Sequence, residues 1–305
     1  MTEHRAILVK VARQAMLDRG LLPDFSPQAL AELEKIAGPA LSNGLPARDL
    51  RSLPWASIDN DDSRDLDQLS VAQPLAGGRV KILAAIAEVD ALVPLGSALD
   101  EHARHNTTSV YTPAMIFSML PEKLSTGLTS LNEQEDRLAM VVEMTIAADG
   151  ALYGADLYPA LVRNHARLAY NGVAAWLETG AAIPEAAAAI PGLADNLRLQ
   201  DHIAQKMKAF RHAHGALTLE TIEARPVFTN GTVTGLEVVR KNRATEMIEN
   251  FMIVANGVTA RFLAARGFPS IRRVVQAPRR WDRIVELAAE YGAKLPGAPN
   301  PVALE

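Results

Sequence analysis

Apolar positions recur along the chain with two periods, and the change from one to the other divides the sequence. Residues 3–19 place Ile7, Leu8, Val11, Ala15 and Met16 at helical spacing, with Gly20 where a helix would stop. In "SPQALAELEKIAG" Ser26 suits an N-cap, Pro27 the first helical position and Gly38 a terminator, which predicts a second helix. The stretch "PALSNGLPARDLRSLP" is loop-like, and from Trp55 the texture turns to alternation. "RVKILAAIAEV" reads as a half-buried strand, and "PLAGG" before it as a hairpin turn. "RLAMVVEMTIAADGALYGADLYPALV" is two strand-like runs around Asp149-Gly150, and "ARPVFTNGTVTGLEVV" repeats the pattern around Asn230-Gly231. Helical stretches lie at 195–213 and 245–265, the second carrying a stripe of Met247, Ile248, Phe251, Val254, Val258 and Phe262. "AAIPEAAAAIPG" reads as a surface helix or linker.

Hairpins with interspersed helices predict an α+β fold with an antiparallel sheet and surrounding helices, rather than a doubly wound parallel one. A boundary near residue 50 separates a small helical N-terminal module, 1–50, from a domain spanning 51–305. The module's size suits a helix-turn-helix, but its acids and bases balance, and a plain packing or capping role accounts for it better.

Composition narrows the class. With 305 residues, 49% hydrophobic and 22% charged, the chain can bury a sizeable core. A net charge of −4 supplies no global attraction to a polyanion, so any such site must be local. The absence of cysteine excludes disulfides, zinc-thiolate sites and cysteine nucleophiles, and suits a reducing compartment. The N-terminus has the charge pattern of no signal peptide, and no apolar run is long enough to span a bilayer. The expectation is a soluble, cytoplasmic protein.

The densest chemistry is "SIDNDDSRDLDQLS", where Asp59, Asp61, Asp62, Asp65 and Asp67 fall within nine positions. Two like charges about 4 Å apart repel by roughly 1 kcal/mol in water and about 4 kcal/mol near a protein surface, so convergent acids need a cation. Asp59, Asp61, Ser63, Asp65 and Asp67 occupy the first five odd positions of a calcium loop, but Arg64 stands where glycine is needed and Ser70 where a bidentate glutamate is needed. A solvated acidic loop is the plain alternative, and Leu66 and Leu69 on either side of Asp67 argue that this end is tucked against a core. The third reading is a magnesium site for phosphoryl chemistry, with Asp59, Asp65 and Asp67 converging from a bent loop.

The pattern Ile58-Asp59…Asp65-Leu66-Asp67 resembles the signature of the ribonuclease II (RNB) family of exoribonucleases. The likeness continues in order through 81–146, with its Thr-Ser-Val-Tyr-x-Pro and Met-Leu-Pro-Glu-x-Leu-Ser blocks, and through "HARLAYNGVAAWLE" and "IENFMIVAN". It implies an RNB-type catalytic domain that hydrolyses single-stranded RNA from a free 3′ end to nucleoside 5′-monophosphates. One or two Mg²⁺ ions, or Mn²⁺, are implied at Asp59, Asp65 and Asp67, with Gln68 assisting. The resemblance also implies that Tyr111 orients the terminal nucleotide and that Phe268 stacks on a base. Without the resemblance, both aromatics read as ordinary core residues.

Basic residues concentrate in the C-terminal quarter, Arg272 and Arg273 among them, and could track a phosphate backbone or simply form solvated helix faces. His212 and His214 alternate on a helix and make poor metal ligands. Three departures from the family pattern stand out. Gln68 takes the place of a fourth aspartate. The chain ends at "PNPVALE", before the family's Ser-Pro-Ile-Arg-Arg-Tyr-like block and S1 domain, so it reads as the first part of a catalytic domain. Helices replace the usual cold-shock domains at the front. These departures leave open an RNA-binding protein of the same fold with impaired catalysis. A calcium-stabilised structural protein is the remaining alternative.

Overall fold

The structure, a computed structural model, describes residues 3–42, 44–217, 223–229, 232–272 and 278–304. Two helices, α1 (Glu3–Asp18) and α2 (Pro27–Lys35), precede β1 (Arg48–Asp49), β2 (Ala56–Asp59), β3 (Gln68–Pro74) and β4 (Val80–Ala87). After α3 (Ala98–Asn106) and the short strands β5 (Val110–Tyr111) and β6 (Ile116–Phe117) come β7 (Asp136–Ile146), β8 (Leu152–Arg163) and β9 (Ala166–Ala169). Helices α4 (Tyr170–Thr179), α5 (Glu185–Ala188) and α6 (Leu193–Ala213) follow. The hairpin strands β10 (Glu223–Thr229) and β11 (Thr232–Val239) lead to α7 (Arg243–Ala265), α8 (Trp281–Glu290) and α9 (Pro301–Leu304).

Seven strands form the main sheet in the order β1-β8-β7-β4-β3-β2-β9. The fold is α+β as expected, but the sheet is mixed: its interior pairs are antiparallel, while β1 runs parallel to β8 and β2 parallel to β9. The parallel partners are short strands that pair with chain far away in sequence, so alternation within them carries no sign of direction. Period-2 patterning gives the sheet two apolar faces. Ala72, Ile82, Val142 and Met144 meet α4, α6 and α7 on one side, while Leu69, Val71, Leu83 and Val141 gather around Trp55 on the other. The helix layer is fixed by polar clamps as well as by burial. Ser70 Oγ donates to Gln200 Oε1 at 2.7 Å, and Asn196 of α6 bonds both the N–H and the C=O of Ala72.

Local signals decide most boundaries. The Ser26 side chain accepts from Ala29 N with Pro27 at the helix start, but α2 stops at Lys35, three residues before Gly38. Ile36 leaves the helix in extended backbone and packs against the small core that includes Ala29, Leu99 and Leu124, so apolar contact ends the helix before the glycine can. Gly150, between β7 and β8, adopts φ +94°, and a Cβ there would lie 2.2 Å from Lys206 O of α6. "AAIPEAAAAIPG" is not a linker: Ala187 is fully buried, and Ile183 and Ile190 pack on the main core. The turn expected at Asn230-Gly231 lies outside the described residues. α2 buries Ala29 in a small core of its own with Val93, Leu99, Leu120 and Leu124.

Candidate active site

The ladder between β2 and β3 holds one register position, Ala56 opposite Ser70, and beyond it the acidic stretch is free to leave the sheet. The neighbouring chain pins it. Leu66 is buried, its N–H donates to Ser130 Oγ at 3.0 Å and its C=O accepts from Leu131 N at 2.8 Å. Asp67 O accepts from Ala87 N at 2.9 Å, and Arg167 Nη2 donates to Ser63 O at 2.6 Å. Arg137, buried on β7, donates to Ser130 O and Gly127 O and so steadies the loop that holds Leu66. The expectation that Leu66 and Leu69 tether this segment is met.

Asp59, Asp65 and Asp67 line one cavity of about 760 Å³, together with Gln68, Tyr111 and Tyr170. Helix α7 closes the opposite wall through Ile248, Met252, Ala255, Asn256 and Thr259, a single stripe at helical spacing. Neutral donors orient the acids. Asp59 Oδ1 accepts from Asn60 N at 2.7 Å and Ser63 Oγ at 3.0 Å, and Asp65 Oδ2 accepts from Tyr111 Oη at 3.1 Å. No lysine, arginine or histidine is among the described residues that line it. Water reaches Asp67 through the cavity, yet surrounding protein desolvates it; burial, then the charges of Asp59 and Asp65, raise its carboxyl above the ordinary range. Burial also raises Tyr111, with Asp65 next, and pushes Tyr170 up to about 12, with Asp59 and Asp67 adding to it. Both phenols are therefore protonated donors at neutral pH.

The donor set suits a hard divalent cation, although no group of three or more His, Asp or Glu among the described residues is gathered into a ready-made cage. Magnesium does not need one: it is commonly held by one or two carboxylates, with water and substrate phosphate completing its shell. The site also holds an orphan oxygen. Gln68 is buried, its Nε2 donates to Ile58 O at 2.9 Å, and its Oε1 has no partner. Oxygen ligands without a neutralising side chain, plus an unpaired amide oxygen, fit a cation.

This arrangement agrees with the comparison to known families, in which the RNB domain matches residues 47–295. The chain belongs to the RNB family. It is similar to ribonuclease R of Escherichia coli, with 34% identity over 289 residues that cover 92% of this chain and 35% of that protein. Ribonuclease R of Vibrio parahaemolyticus is 36% identical over 256 residues, 83% of this chain and 30% of its own length. Among solved structures, Mycoplasma genitalium RNase R in complex with ribose methylated single-stranded RNA matches with a TM-score of 0.83 at 25% identity, over 93% of this chain and 44% of that one. The chain thus spans about a third of the length of these curated relatives.

Of the remaining sequence candidates, Tyr111 lines the cavity, while Phe268 and Arg272 do not. Tyr111 stands on the β5–β6 hairpin and is 65% exposed, so it is not a core residue. Phe268 is 61% exposed and does not line the cavity, and Arg272 is exposed with Nη2 on Ala260 O. Arg273 lies outside the described residues. Some of the C-terminal bases already have partners: Lys241 pairs with Glu249 and Arg243 with Asp201. Tyr170, Asn256 and Thr259 were not singled out from the sequence. Tyr170 reaches the acids because β9 pairs in parallel with β2, setting Ala169 opposite Asp59. Asn256 had one readable sign, a polar residue beside the apolar stripe of α7.

Proposed function

We propose that this RNB chain is a magnesium-dependent exoribonuclease that hydrolyses single-stranded RNA from a free 3′ end in the cytoplasm, with manganese able to replace magnesium. The carrying observation is that Asp59, Asp65 and Asp67 share one cavity, opposite a wall formed by α7, with no cationic side chain among the described residues that line it. Water adds to the terminal phosphodiester phosphorus, the bond to the preceding 3′ oxygen breaks, and a nucleoside 5′-monophosphate leaves a new 3′ hydroxyl behind. Asp59, Asp65 and Asp67, with Gln68, would hold Mg²⁺, which when bound supplies charge for the attacking and leaving oxygens. Tyr111 donates to Asp65 and keeps that carboxylate oriented, while its exposed ring offers a surface to the terminal base. Ile248, Met252 and Ala255 make an apolar wall, and Asn256 and Thr259 add polar groups for sugar or phosphate. Phe268, Arg272 and Arg273 belong to this proposal as outer contacts to the entering strand. Residues 1–50 would act as a helical cap on the catalytic domain at 51–305, through the α2 core around Ala29.

The test is uniformly labelled single-stranded RNA incubated with Mg²⁺, read as progressive shortening and mononucleotide release. Asp67→Asn should slow release by about 100-fold or more, the scale of losing one charge-stabilising group at a reacting phosphate. Equal degradation by both proteins removes the cavity from the reaction. A binding-only reading rests on neutral Gln68 in place of a fourth carboxylate; it calls for steeply salt-dependent RNA affinity without mononucleotide release.

A further inference from the structure

Helix α3 is held at both ends by the N-terminal segment and leads into the hairpin that carries Tyr111. At its start, Glu32 of α2 accepts from Ala98 N at 3.0 Å and from Leu99 N at 3.1 Å. At its last residue, Asn106 is buried, with Oδ1 accepting from Leu22 N and Nδ2 donating to Leu22 O, both at 2.9 Å. These two bonds fix the orientation of the amide, since turning it would set donor against donor and acceptor against acceptor. Helix α1 reaches the hairpin itself: Arg5 Nη2 donates to Ala114 O in the loop between β5 and β6.

A strained residue lies between the latch and the hairpin. Thr107 has φ 60°, a left-handed conformation that a β-branched residue rarely adopts. Such a conformation persists where the surroundings impose it. Thr107 N donates to Ala103 O at 2.8 Å and Thr107 Oγ1 to Asn106 O at 2.7 Å, so the turn is built directly on the latched residue. The direction of that turn sets where β5 begins, and β5 brings Tyr111 Oη to 3.1 Å from Asp65 Oδ2.

We infer that Asn106 is a positioning residue: by locking the end of α3 onto Leu22 it holds Thr107 in its left-handed turn and aims the Tyr111 hairpin at the cavity. The inference rests on the reading of Tyr111 as the side chain that orients Asp65 and meets the terminal base. The N-terminal segment then does more than cover apolar surface, because it sets the geometry of the seat for the last nucleotide.

The experiment is a double-mutant cycle on mononucleotide release by the full chain, joined to ¹⁹F NMR with the five tyrosines replaced by 3-fluorotyrosine. Tyr111→Phe identifies the Tyr111 signal by its loss. Asn106→Leu keeps the size of the side chain and loses both bonds to Leu22. It should slow release about tenfold and move the Tyr111 signal, and in a Tyr111→Ala background it should cost less than twofold more. An Asn106 that only stabilises the fold leaves the Tyr111 signal in its parental position, or gives losses that multiply in the double variant; either result overturns the inference. If the parent releases no mononucleotide, the exoribonuclease reading falls and the fluorine signal alone decides the latch, so the two failures are distinguishable. Asn106→Asp, which keeps the bond from Leu22 N and loses the one to Leu22 O, repeats both measurements if the leucine variant does not fold.

Discussion

Two groups of aspartates in this chain meet opposite fates. At the β1 end of the sheet, Arg51 bonds Asp49 through Nε and Nη2 and reaches Asp136 with Nη1 at 2.8 Å, while Arg163 Nε reaches Asp136 at 2.6 Å. Hydrogen bonds from Arg51 hold the Asp49 carboxyl down to about 2, and those from Arg163 and Arg51 lower Asp136. In the cavity the partners are neutral, and Asp67 moves the other way. Residue type is the same, so the difference lies in what faces it. Two arginines of the chain itself complete the first group and leave it nothing to do. The second keeps its negative potential available to something from outside, which is the electrostatic condition for a cation site.

The comparison breaks most sharply if the cavity is given its own cation. Asn256→Lys places an ammonium on the α7 wall facing the acids, and should cut Mg²⁺-dependent RNA hydrolysis by about 100-fold or more, the scale of losing a charge-stabilising group. Wild-type turnover in that variant would show that α7 does not face the working carboxylates.

Stability against pH separates the two groups next. The folded-state value of Asp67 is raised, so ionising it in the native cavity costs stability; that cost is absent below the unfolded value near 3.8 and complete above the folded one. Asp67→Asn should therefore melt about 2 °C higher than the parent at pH 7 in EDTA, with the gain vanishing below about pH 4. Asp49 has the reverse sign: its lowered value stabilises the fold above about pH 4, and that contribution is lost as pH falls toward 2.

The smallest effect belongs to the paired group. Arg51→Ala opens one exposed and one part-buried ion pair, both within reach of screening salt, and should lower the melting temperature by about 1–2 °C while leaving RNA hydrolysis unchanged. A large loss of turnover would mean that the β1 end also touches substrate.

Much of this molecule was legible residue by residue. The N-cap at Ser26, the hairpin at Asp149-Gly150 and the stripe of α7 are local devices, in which the deciding atoms lie within a few positions of one another. Asp59, Asp65 and Asp67 were legible for the same reason, being crowded into one stretch. Tyr170 was not, because its approach to Asp59 depends on a parallel pairing between segments more than a hundred positions apart. The bond from Gln68 Nε2 to Ile58 O was hidden likewise: the missing carboxylate is visible in sequence, but the partner of the amide that replaces it is not.

The amino-acid order by itself determined the helices, the alternating strands, the crowded acids and the family to which they belong, since periodicity, capping and short-range charge repulsion all act along the chain. Only the tertiary structure decided that the edge strands run parallel, that α7 faces the acids, and that among the described residues no basic side chain lines their cavity. Those outcomes depend on which distant faces bury one another, and burial of apolar area is blind to sequence distance.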